Sequence, residues 1–96
     1  MTMPASIAGD MSIGHAGFSP APITPSTASV LVMGAPPHVV GDVIGPHVLG
    51  QAVHTGTVGK ASSTLLVTEK GLARLMDNGD CQSLILGSAA TVMVGG

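Results

Sequence analysis

The sequence predicts a small, mainly β domain of short strands and hairpins, made of three similar units that close on themselves and stapled by one metal ion. Three observations predict it. The aliphatic and β-branched residues come in short runs broken by Gly, Ser and Pro, one stretch of the chain lies over another without a gap, and there is little from which to build an ordinary core. Phe18 is the only aromatic residue, and a lone cysteine cannot form an internal disulfide. Small domains with thin cores rely on disulfides, metals or oligomerisation. A metal or a partner is therefore expected to supply what aromatic packing supplies elsewhere. At 96 residues a single domain over 1–96 is expected.

The repeat is the most informative feature. Residues 29–42 (SVLVMGAPPHVVGD) lie on residues 64–77 (TLLVTEKGLARLMD) at an offset of 35. Each begins with an apolar run, passes a turn and ends on an aspartate. A third copy, residues 4–10 (PASIAGD), matches PPHVVGD, with Pro4 on Pro36, Ile7 on Val39 and Gly9-Asp10 on Gly41-Asp42. It lacks the leading strand, and residues 91–96 (TVMVGG) match SVLVMG in their apolar positions. The C-terminal strand is thus expected to complete the first unit, which makes the chain a pseudo-threefold object whose ends meet.

The runs at residues 30–33, 65–68, 84–86 and 92–94 read as strands. Residues 69–79 (EKGLARLMDNG) look the most helical, but the repeat lays them on the Pro-containing PPHVVGD, so strand or turn is expected. Residues 19–27 (SPAPITPST) read as an extended Pro-rich loop.

Candidate metal ligands recur at one place in the repeat. His15 and His47 lie five residues after Asp10 and Asp42, and Cys81 lies four after Asp77. A threefold arrangement would bring such positions to one point on the axis. Imidazole with thiolate suits tetrahedral Zn²⁺, so a fourth ligand is expected from His54 or His38. His54, in the same Gly-rich connection as His47, is preferred. His38 is read at the repeat position of Ser6 and Arg74 and is expected to be structural or at the surface. Three histidines and one thiolate leave no position for an activated water, so one structural zinc ion and no enzymatic activity are expected. The aspartates are expected to accept turn hydrogen bonds.

Composition excludes some roles. Three basic residues and a net charge of −2 offer no footprint for nucleic acid. The first ten residues show no cleavable export signal, so synthesis in the cytoplasm is expected. No apolar run reaches 18 residues. Charged residues are only 8% of the chain, and so neutral a surface suits a permanent partner. Two other readings are a zinc hydrolase with three histidine ligands and water, and a metal-free, self-associating β adaptor module.

The units PASIAGD, PPHVVGD and GLARLMD, each with an apolar strand before it and a His or Cys after it, resemble the PAAR-repeat family. The Pro-Ala-Ala-Arg motif survives in part as Pro4-Ala5-Ser6, Pro36-Pro37-His38 and Leu72-Ala73-Arg74. The resemblance implies a small cone on the blunt end of a trimeric β-helical spike, in a type VI secretion system or a contractile phage tail. It implies His15, His47, His54 and Cys81 as zinc ligands near the vertex, a structural role in membrane piercing, transient contact with a target membrane, and in some members effector cargo. Localisation would follow assembly: made in the cytoplasm, then delivered on the spike tip outside the cell or into a target cell.

Overall fold

The computed structural model describes residues 3–13, 20–27, 29–67, 69–79 and 83–95. Among them are nine short strands and no helix: β1 (Met3–Ala5), β2 (Met11–Ile13), β3 (Ala21–Thr24), β4 (Val43–Leu49), β5 (Ala52–Thr57), β6 (Leu66–Val67), β7 (Lys70–Gly71), β8 (Leu84–Ile85) and β9 (Ala89–Val94). They form one five-stranded antiparallel sheet, ordered β5-β4-β3-β2-β8, and two antiparallel pairs, β1-β9 and β6-β7.

The two ends of the chain pair with each other. Met3 lies opposite Val94 in the β1-β9 ladder. Ala35 lies opposite Val32, and Lys70 opposite Val67. These are three counterparts of one contact. Two are closed by tight turns of continuous chain, where Gly34 (φ +80°) and Glu69 (φ +71°) take left-handed backbone at matching positions. The third is closed by the termini, as the repeat predicts, because TVMVGG supplies the strand that PASIAGD lacks.

Behind these contacts the units bond to one another in a ring. The amide of Ser6 donates to the carbonyl of Ala73, that of His38 to Ser6, and that of Ala73 to His38, at 2.9, 3.0 and 2.8 Å. A second ring runs the other way: Ala8 to Pro36, Val40 to Gly71 and Leu75 to Pro4, at 2.8, 3.0 and 2.9 Å. These bonds correct one reading of the repeat. His38 is the counterpart of Ser6 and Ala73, whereas Arg74 is the counterpart of Ile7 and Val39. The ungapped offset of 35 already lays His38 on Ala73 and Val39 on Arg74, and the backbone bonds follow that register.

Each unit then turns at its aspartate, as expected. The amides of Ile7, Val39 and Arg74 each donate to the carboxylate of the aspartate three residues on, at 2.9 Å in all three cases. The aspartate amides donate back to the carbonyls of the same residues. The residue before each aspartate has positive φ: Gly9 +98°, Gly41 +93° and Met76 +75°. Such a turn favours glycine, and only the third unit places a side chain there.

Two apolar clusters flank the ring. Ala5, Val39, Val67, Leu72, Ala89 and Val94 pack on the side of the terminal strands, with Ile7, Val32 and Val92 against them. Ala21, Ile23, Ile44, Val58, Ala73 and Ile85 pack on the side of the five-stranded sheet. Within the described residues His38 ranks with Ile44, Leu72 and Ile85 among the largest fully buried side chains, which shows how thin the core is.

Two expectations are corrected. The Pro-rich segment is a strand at residues 21–24, because Ala21 and Ile23 point into the core while Pro22 and Thr24 face out, an alternation that suits a sheet. The Gly-rich connection around residues 47–54 is the longest hairpin of the molecule, β4-β5. The run at 30–33 forms no strand, only the isolated bridge of Val32 with Ala35, because Met33 already lies in a turn with φ +52°, while the runs from 65 and 84 give the two-residue strands β6 and β8.

Two substitutions at equivalent turn positions should move stability in opposite directions. A Cβ at Gly41 meets nothing within 4 Å, so Gly41→Ala exposes the backbone cost alone, about 1 kcal/mol of destabilisation. Met76→Gly relieves about 1–2 kcal/mol of left-handed strain against about 0.5–1 kcal/mol of added unfolded-state entropy, a small net gain. Urea titration of both variants reads the contrast, and equal shifts would sink the turn assignment.

Candidate functional site

Three hairpins rise from the three aspartate turns. Strands β2 and β4 each begin on the residue after their aspartate, at Met11 and Val43, and the third unit continues at Asn78. Met11 pairs with Pro22, Val43 with Thr57 and Asn78 with Leu84. The chain between the paired residues contains His15 in the first hairpin, His47 and His54 in the second and Cys81 in the third.

His47 and His54 are brought together directly. They are Cα partners in the β4-β5 ladder, and directly opposed residues of an antiparallel pair share a face of the sheet with Cβ atoms roughly 5 Å apart. A bulge between Ile44 and His47 sets this register. Gly45 sits in it with φ +138°, and a Cβ there would come within 2.9 Å of the Thr55 side chain and 3.1 Å of its Cα. Only glycine lets β5 approach this closely. His15 and Cys81 lie outside the described residues, as do the side chains of His47 and His54. The described residues that flank the other two ligands are neighbours, since Ile13 of β2 pairs with Leu84 of β8. Among the described residues no group of three or more His, Cys, Asp or Glu is gathered for a metal.

At the opposite side of the ring the structure exposes a set of residues that sequence reasoning missed. Leu31, Leu66 and Met93 occupy one column of the repeat and are 58%, 55% and 50% exposed. Val30 and Leu65, the preceding column, are also exposed. Leu31, Leu66 and Met93 each lie one residue before Val32, Val67 or Val94, which pack in or against the first apolar cluster. The signal was in the alignment, where each column is apolar in all three units although one of every two neighbours must face away from the core.

Between the two ends runs a polar seam. The Arg74 guanidinium donates from Nε and Nη2 to the two oxygens of Asp77, both at 2.9 Å, and from Nη1 to the carbonyl of Gly95 at 3.0 Å. The side-chain hydrogen bond to Asp77 raises the Arg74 pKa further. Ser62 Oγ also donates to Gly95 O at 2.7 Å. Two side chains of the third unit thus hold the strand that completes the first. Asp10 accepts from Ile7 and from Ser88 at 3.0 Å and does the same work for the first unit with amides alone.

A scan against known protein-family models finds no match, and no curated protein matches the chain.

The seam predicts an order of stability. Asp77→Ala strands a largely buried guanidinium and removes a turn acceptor, a loss of about 3 kcal/mol. Asp10→Ala removes bonds to backbone amides alone, a loss of about 1–2 kcal/mol. Chemical denaturation of the two variants measures the difference, and a larger loss at Asp10 would contradict it.

Proposed function

We propose that this protein is a PAAR-like cone, the structural tip of a contractile injection spike, whose vertex is fastened by one zinc ion and whose base caps a trimeric β-helical spike. The observation that carries this reading is the set Leu31, Leu66 and Met93. One apolar residue from each of three equivalent units, all on the same side of the ring, matches a partner with threefold symmetry, because each subunit can offer the same pocket to a different unit of one chain. Burying the exposed part of each is worth on the order of 1 kcal/mol. The short strands β6 and β9, which carry Leu66 and Met93, can add backbone hydrogen bonds to strands of the spike.

At the other end, the pairing of His47 with His54 supports the metal reading. Two imidazoles across a ladder would make half of a tetrahedral site, with His15 and Cys81 proposed as the other half. Zinc held by all four would tie the hairpin ends together, as a thin core requires. Asp42 accepts from the Val39 amide through one oxygen, its other oxygen has no hydrogen-bond partner among the described residues, and its burial keeps it from any substrate, so it is no candidate general base. The chain therefore acts by rigidity and shape, and membrane contact would be mechanical and transient.

Elemental analysis of the purified chain should return one zinc ion per molecule. His47→Ala and Cys81→Ser should each lose most of it together with several degrees of Tm, and a Cys81→Ser protein with full zinc and full stability would falsify the ligand set. For docking, single substitutions Leu31→Asp, Leu66→Asp and Met93→Asp should leave folding within about 0.5 kcal/mol, because the sites are exposed. Each should weaken co-purification with a trimeric spike protein, at one chain per trimer, by tenfold or more. Undiminished capture by all three variants would remove the docking face.

A further inference from the structure

His38 has no part in the proposed zinc site or docking face, yet it is fully buried at the centre of the molecule. Its backbone belongs to the inner ring, donating to Ser6 O at 3.0 Å and accepting from Ala73 N at 2.8 Å. Its Nδ1 lies 2.7 Å from Ser6 Oγ, the side chain at the equivalent position of the first unit. The imidazole therefore bridges the seam between the first and second units. Its Nε2 is buried without a hydrogen-bond partner among the described residues.

We propose that His38 is an acid-sensitive latch: neutral, it fastens the first unit to the second, and its protonation opens that seam. A proton on the ring would place a charge in a fully buried site, whereas in the opened chain the same charge is hydrated. Burial is the largest influence on this imidazole and pushes its pKa below the usual 6.5. The charged groups that face it are Asp42, on its own turn, and Asp10, on the turn of the first unit, and both pull in the opposite direction without overcoming burial. The Ile23 backbone on β3 also favours the charged form, and the third unit contributes Ala73, which does not titrate.

The direction of the pH effect follows. The opened chain binds the proton more readily than the closed one, so the contribution of His38 is complete above pH 6.5 and is lost as pH falls below it. Within that window each pH unit multiplies the opened population by up to tenfold. A tip that is rigid at neutral pH and loosens on acidification would be dismantled at an acidic destination, whatever spike it travels on.

The test is amide hydrogen exchange of the zinc-loaded chain, corrected for intrinsic rates, between pH 7.5 and 5, with bound zinc measured at each point. Protection at Ala8 and His38, whose amides cross that seam, is expected to fall by tenfold or more while zinc stays bound, and His38→Asn is expected to flatten this fall. Loss of protection at the same pH in His38→Asn, or only in step with zinc release, overturns the latch and assigns the effect to the metal histidines. Should His38→Asn not fold, the wild-type imidazole decides by NMR: a free titration near 6.5 with the ring amides still protected also overturns it. Zinc content and spike capture at pH 7.5 report on the tip reading independently.

Discussion

Everything in this molecule hangs on a closed ring of backbone hydrogen bonds in which each of three units donates to one neighbour and accepts from the other. Six such bonds, between 2.8 and 3.0 Å, join residues far apart in sequence. None can form alone without ordering long stretches of chain, so the ring rewards closure as a whole and penalises partial assembly. The pairing of β1 with β9 is the step that makes it possible, because without the C-terminal strand the first unit has no outer partner.

The ring also divides labour along its axis. On one side the strands leave outer apolar columns facing away from the core. On the other the aspartate turns lead into β2, into β4 and into the bridge of Asn78 with Leu84. A turn whose carboxylate is held by the amide three residues earlier reverses the chain at the same place in every unit, and so the three hairpins rise together. Substituting symmetry for bulk is how a chain with one aromatic residue and two small apolar clusters achieves a defined shape.

Departures from symmetry are as informative as the repeats. The third unit carries Arg74, and with it an ion pair and a hold on Gly95 that the other two lack. The second carries His38, which fills the middle of the ring where the others place Ser6 and Ala73. Met76 stands where Gly9 and Gly41 take left-handed backbone freely. The backbone ring needs equivalent turns and bonds, not equivalent side chains, so the interior is free to differ from unit to unit.

By itself the sequence determined the repeat, the three aspartate turns, the mainly β character and the completion of the first unit by the last strand. These rest on short-range chemistry: Gly before Asp demands one kind of turn, and apolar runs at a constant offset demand equivalent strands. Tertiary structure alone decided three other things. The β4-β5 hairpin forms through a Gly-Pro stretch that local propensity reads as a breaker, because a bulge at Gly45 absorbs the misfit and sets His47 against His54. The full burial of His38 against the Ser6 hydroxyl follows from closure of the ring, which no local stretch of sequence encodes. Which apolar column is buried and which faces out was settled only when the ends met, since strand alternation supplies two faces and long-range closure chooses between them.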